Sequence, residues 1–405
     1  MHAILLSRGP GTLCGFRPVR LSLLLARRCL ATTTTKAHDP LRILFCGSDE
    51  FSIASLKALN AEHVSRPDRI ASIDVVCRPG KRVGRGLKTI REVPIKAAAT
   101  ALSLPIHEID TFRDWTPPVL PEGPINLIVA VSFGLFVPAR IINGAKYGGL
   151  NVHPSLLPDF RGPAPLHHTL LHDRTKTGVT LQTLDLKHFD HGTILAQTPA
   201  PGFDIPNPAS CSVQELLDLV APKGADILVK GIQQGLFVPP LKDAGWRSSV
   251  RDGPLIHAAK IVPEDRHINW TMWTLHEIQR RHQVLGPLWG ISVVANGKSS
   301  EEPVFQHRRV IFTEVEEVPL LKGCSKFSVV PGLPFVDGTH PIELDKGKGV
   351  YVFTRDQKLV RIHQMKVEGE LNADALRAAR KARMIGDRTL YSGDMGYTPF
   401  YKPLL

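Results

Sequence analysis

Asn151 and His153 stand two apart in the run Asn151-Val152-His153-Pro154-Ser155-Leu156-Leu157-Pro158, and a loop carboxylate, Asp190, follows further along the 405-residue chain. In an extended segment, residues two apart project from the same face, so the amide and the imidazole can meet one substrate. A carboxylate orients and charges an imidazole, the imidazole handles a proton, and an amide NH2 donates to a developing oxyanion. The set requires no nucleophile of its own. Ser155 is followed by Leu-Leu-Pro and lacks the GxSxG elbow of a serine nucleophile, so the chemistry that fits is direct acyl transfer with attack by an external amine. A hydrogen-bonded core histidine and an aspartate capping a turn account for the residue types equally well.

These residues need a frame. The apolar run from Asn126 to Ser132 reads as a buried parallel strand just ahead of the motif. Upstream, a strand at 41–46, the turn Gly47-Ser48-Asp49, a helical pattern at 51–59 and a strand at 70–76 predict the β-α-β opening of a doubly wound sheet. No GxGxxG is present, so a dinucleotide reading of the turn is weak. Pro138 opens a short helix through Asn143. The prolines after His153, with Gly162, restrict the next loop to a few conformations, and a helix at 166–172 follows. The alternation from Thr177 to Leu184 predicts a strand with one exposed face, then come the loop 185–192, a strand at 193–197 and a long amphipathic helix at 212–232.

Residues 239–255 read as a linker. Short strand-like runs at 290–295, 309–313, 349–354 and 358–364 predict a small OB-like β-barrel over 256–390, with a cationic helix at 376–383 headed by Asp374 and a tail at 391–405. The fold class is therefore α/β: a Rossmann-like, doubly wound, mostly parallel sheet over 41–238, then a smaller C-terminal β-barrel domain.

Composition narrows the partners. A net charge of +12 and a pI near 9.5 favour a polyanion. No apolar run reaches about 18 residues, so no membrane span is predicted. The six cysteines show no CxxC pair and no metal-ligand spacing, which predicts free thiols in a reducing compartment and no metal site. The first 35 residues carry five arginines and many Ser and Thr, with no acid before Asp39, the pattern of a mitochondrial presequence. Between 78 and 93, Lys81, Arg82, Arg85 and Lys88 are interleaved with glycine, predicting an exposed, mobile loop suited to phosphate contact; a solvated charge run is the blander reading of the same residues.

The eight-residue motif with Arg161-Gly162, the Gly47-to-Phe51 turn, Gly84-Arg85-Gly86, Ser132-Phe133-Gly134-Leu135, the Asp190 loop, Ala259-Lys260-Ile261 and Ile268-Asn269-Trp270 together resemble the formyltransferases that use 10-formyltetrahydrofolate. From about residue 41 onward the chain is similar to those acting on methionyl-tRNA, of the mitochondrial kind given the leader. The resemblance implies that Asn151, His153 and Asp190 form the catalytic trio. It further implies that Ser155, Leu156, Leu157 and Pro158 build part of the folate site, with Ser132, Phe133, Gly134, Leu135, Leu184, Asp185 and Leu186 lining the pterin pocket. Arg85, supported by Lys81, Arg82 and Lys88, becomes the tRNA contact. A monomeric matrix enzyme serving translation initiation is the expectation. Two positions depart from the family pattern: Phe189-Asp190-His191-Gly192 stands where Leu-Asp-Thr-Gly is common, and Ser132-Phe133-Gly134 where Ala-Tyr-Gly is usual. A formyltransferase for a small amine would share the trio without needing the basic segment. A hydrolase that releases formate would share the trio as well, and a non-catalytic RNA-binding module would need only the basic residues.

Overall fold

The computed structural model describes residues 35–245, 254–296, 304–319, 331–335, 349–382 and 384. The presequence to residue 34, the tail at 391–405, linker residues 246–253 and the Arg85 side chain lie outside the described residues.

The opening is the expected β-α-β. Strand β1 (Leu41–Gly47) feeds helix α1 (Glu50–Ser65), whose N-cap is Asp49, its carboxylate accepting from Ser52 N; strand β2 (Ile70–Cys77) then pairs parallel to β1. The segment read as a loop is instead a hairpin of β3 (Lys81–Val83) and β4 (Thr89–Arg91), with Lys81 opposite Arg91 and Val83 opposite Thr89. Gly84 at φ 81° and Gly86 at φ 76° supply the left-handed backbone at its tip, while β-branched Val83, Thr89 and Ile90 favour pairing. Composition showed the glycines but not the ribbon they close. Helix α2 (Pro94–Ala101) and strand β5 (Ile106–Glu108) complete this half.

Strand β6 (Leu127–Val131), helix α3 (Ala139–Gly144, with Pro138 as its N-cap rather than its first turn), strand β7 (Gly149–His153) and helix α4 (Pro165–Leu171) follow. Strands β8 (Thr180–Thr183) and β9 (Ile194–Gln197) precede the long helix α5 (Val213–Gln233), whose capping box joins Ser212 and Glu215. The seven strands lie in the order β9-β8-β7-β6-β1-β2-β5, with β8 antiparallel to both neighbours. The sheet is thus doubly wound and mostly parallel, and its order reverses between β1 and β6, where ligands of such sheets gather at the strand carboxyl ends.

Alternation divides the sheet into two faces. Ile43, Phe45, Val75, Leu150, Val152 and Leu181 enter the core under α1 and α5, whereas Leu44, Cys46, Val76, Ile128 and Ala130 enter a second core with Ile109, Phe112 and Ile142. Asn151 and His153, out of phase with Leu150 and Val152, therefore project on the second face. Strand β8 is shorter than the alternating run and buried on both sides, a correction to the half-exposed strand. Its polar face is roofed by the loop that carries Asp190, which periodicity within one strand cannot show.

In the C-terminal half, helix α6 (Leu275–Leu285) precedes an antiparallel sheet ordered 288–296, 304–318, 359–367, 350–353, 334–335, with Ala373–Asp374 paired onto 359–367. The 15-residue strand Val304–Val318 pairs its first part with Leu288–Asn296 and its last with Leu359–Val367, shifting register between Phe312 and Val315. Such bulges let one strand turn a corner and curl a sheet around its core, here Ile268, Trp270, Leu288, Phe312 and Met365. Helix α7 (Ala375–Lys381) closes it, with the Asp374 carboxylate accepting from Arg377 N at 3.0 Å. The two halves are braced by buried Arg280, which donates to the Asp173 carboxylate and, at 2.8 Å, to the Pro208 carbonyl.

Candidate active site

Strand β7 delivers Asn151 and His153 to one face, and the loop after β8 returns across that face with Asp190, whose backbone takes φ 57°. His153, 5% exposed, has its Nε2 2.8 Å from the Phe160 carbonyl and its Nδ1 3.4 Å from Asp190 Oδ1. A carbonyl only accepts, so Nε2 is the donor in that bond, and both ring nitrogens face acceptors. Asn151 Nδ2 donates to the Ala130 carbonyl at 2.8 Å, and its Oδ1 accepts from Gln182 Nε2 at 3.0 Å. One Nδ2 hydrogen is left over at a half-buried position, where it can donate to a further acceptor.

Asp190 is surrounded by donors. Its Oδ2 accepts from Gly162 N at 3.0 Å, its Oδ1 from Gln182 Nε2 at 3.3 Å, and its backbone carbonyl from Arg161 Nε at 2.7 Å. Gly162 is required here twice over: φ is 125°, and a Cβ would lie 2.4 Å from the Ala258 carbonyl oxygen. Its loop is sewn to the start of the C-terminal half, with Phe160 N donating to Ile256 O at 2.8 Å and Ala258 N to Arg161 O at 2.7 Å. His191, beside Asp190, is held below the ordinary imidazole value by burial and by the nearby Arg161 charge, so at neutral pH it adds no second cation next to the carboxylate. The Asp185 carboxyl is held below the usual carboxylate range by the backbone N–H groups of Lys187 and His188, which it accepts at 2.9 and 2.8 Å, and this turn shapes the start of the loop.

The remaining residues of the expected folate site divide. Ser155 is buried, its hydroxyl donating to the Asp159 carbonyl at 2.7 Å; Leu157 is buried, its carbonyl accepting from Gln197 Nε2 at 2.8 Å; and Leu156 is half-buried, a Cβ on Gly178 falling 2.4 Å from it. Pro158 follows Leu157 through a cis peptide bond. The Phe133 ring is turned into the second core, 5.9 Å from Phe112, with Leu135 and Leu184 packed on that core. Ser132, Gly134 and Leu186 are exposed. Sequence reasoning missed an aromatic pair, half-buried Phe136 and exposed Phe189 at 5.2 Å edge to face, and the buried amide of Gln182.

On the basic hairpin, Lys81, Arg82 and Lys88 are exposed, and the neighbouring acids Glu92 and Glu108 are committed to Lys96 at 3.2 and 2.8 Å. No helix of the described residues is long and apolar enough to cross a membrane.

The formyl transferase family matches residues 41–205. The chain is 31% identical over 327 residues to the mitochondrial methionyl-tRNA formyltransferase of Saccharomyces cerevisiae, covering 72% of this chain and 79% of that protein. It is 32% identical over 252 residues to the mitochondrial methionyl-tRNA formyltransferase of Homo sapiens, covering 62% and 58%, and 33% identical over 260 residues to the methionyl-tRNA formyltransferase of Syntrophus aciditrophicus, covering 64% and 77%. With identity of this level over this share of both chains, the chain belongs to the methionyl-tRNA formyltransferase family.

Proposed function

We propose that the chain transfers a formyl group to the free amine of methionyl-tRNA, using Asn151, His153 and Asp190 as its catalytic groups. The observation that carries this reading is the convergence of an amide with a spare hydrogen, an imidazole and a donor-ringed carboxylate on one face of the sheet. 10-Formyltetrahydrofolate supplies the formyl carbon, on which the amine forms its new C–N bond as the bond to the folate nitrogen breaks. Asn151 donates its free Nδ2 hydrogen to the oxyanion, and His153 joins it by giving up the Phe160 carbonyl. Asp190 holds the imidazole and, with it, moves the proton shed by the amine to the departing nitrogen. The donor set fits a formyl oxygen acquiring negative charge as its carbon becomes tetrahedral. Ser132, Gly134, Leu186, Phe136 and Phe189 offer the open surface beside it for the co-substrate's ring.

The basic hairpin fits a tRNA backbone, the leader and the mitochondrial relatives favour the mitochondrial matrix, and the product, a blocked amine resembling a peptide start, suits initiation. A monomer suffices. The division into a catalytic domain at 41–238, a linker and a tRNA-binding domain from 256 belongs to the same reading. The direct test is incubation of the purified chain with labelled formyl-folate and methionyl-tRNA of initiator and elongator type: label in the aminoacyl amide is expected, and free formate as the sole product would overturn the assignment.

Replacing Arg82, Arg85 and Lys88 together by alanine should weaken tRNA binding and flatten its dependence on salt, each lost phosphate contact removing roughly 0.7–0.9 from the log–log slope. Affinity for the folate should not move. An unchanged slope in a titration from low to moderate salt would remove the hairpin from the tRNA site and favour a small-amine acceptor.

A further inference from the structure

Gln182 faces Asn151 across the antiparallel pair of β8 and β7, is 1% exposed, and has no part in the mechanism above. Its Nε2 lies 3.0 Å from Asn151 Oδ1 and 3.3 Å from Asp190 Oδ1. Both oxygens only accept, so the glutamine amide has one allowed orientation, nitrogen toward them. Its Oε1 is then left buried with no donor. An apolar side chain of similar reach would carry no such orphan, so packing does not favour glutamine here.

We infer that Gln182 is a positioning residue that locks the Asn151 amide with its NH2 toward the reacting carbon and ties it to Asp190; this rests on the roles given to Asn151 and Asp190 above. The Asn151 amide has two orientations half a turn apart. In the one present, Oδ1 accepts from Gln182 and Nδ2 donates to the Ala130 carbonyl, which leaves a hydrogen for the oxyanion. In the inverted one, Oδ1 would oppose the Ala130 carbonyl and Nδ2 would oppose Gln182 Nε2, so the glutamine adds a second mismatch to the one the carbonyl already imposes. Because the same Nε2 also reaches Asp190, one amide spaces the oxyanion donor from the carboxylate that orients His153.

The test is Gln182→Leu in the full chain, alone and combined with Asn151→Ala, with kcat, KM for each substrate and the thermal midpoint measured for every variant. Alone, it should lower kcat by about tenfold to a hundredfold, as expected for a misoriented catalytic group, while both KM values stay within about twofold and the midpoint holds or rises. In the Asn151→Ala background the same change should cost less than about threefold, since the amide it positions is gone. If Gln182→Leu lowers the midpoint, Gln182→Met, which reaches as far, takes its place. An equal fold-loss in both backgrounds, or a single variant turning over like the parent, would overturn the inference. Normal turnover by Asn151→Ala would instead remove the site assignment beneath it.

Discussion

Asn151→Ala and His153→Ala are each expected to reduce formyl transfer by about two to three orders of magnitude, the usual cost of removing an oxyanion donor, while tRNA affinity stays at the parent level. The two losses differ in kind. Asn151→Ala deletes the one amide hydrogen that no protein acceptor claims and leaves the Ala130 carbonyl and Gln182 Nε2 without their partner. His153→Ala removes a ring that is 5% exposed, so the Phe160 carbonyl and Asp190 lose their shared neighbour and the loop between Pro154 and Gly162 loses an anchor. Single-turnover rates with saturating folate, alongside thermal midpoints, separate chemistry from folding. Either variant turning over at close to the parent rate with an intact fold would dismiss the trio.

Asp190→Asn is expected to be as severe, about three orders of magnitude or more in kcat, despite the match in shape. Its Oδ2 accepts from Gly162 N and its Oδ1 from Gln182 Nε2, both of which only donate, with His153 Nδ1 beside Oδ1. An amide NH2 placed there must oppose a donor, whichever way it turns. A buried polar clash of that kind costs about 1–3 kcal/mol of stability and also strips the imidazole of the charge that orients it. The measurement is the single-turnover rate together with the midpoint. A stable variant with parent-like kcat would reduce Asp190 to a turn-capping residue.

Much of this was legible in the residues themselves. The β-α-β opening followed from apolar runs of strand length set between a glycine turn and a helical pattern, and Asn151 and His153 share a face because strand periodicity is two. What stayed hidden depended on neighbours distant in sequence. Phe133 stands in the segment expected to line the pterin pocket, and its ring lies in the core against Phe112, next to Ser132 at φ 47°. The strand 177–184 seemed half exposed because nothing within it announces that Asp190 and its loop lie over the polar side. Likewise the basic segment carried the marks of a loop, and its pairing as a hairpin depends on a register that glycine content does not encode.

The hydrogen bonds between the Phe160–Ala164 turn and residues 256–258 bear on where the enzyme can be cut. A fragment ending at Val238, just past the last helix of the sheet, keeps Asn151, His153 and Asp190 yet surrenders the Ile256 and Ala258 partners that hold Phe160, Arg161 and Ala164 in place. Such a truncation should be a poor catalyst even toward a minimal aminoacyl acceptor. Extension to Lys260 should restore the rate, making those few downstream residues a buttress that the sheet's own loop depends on.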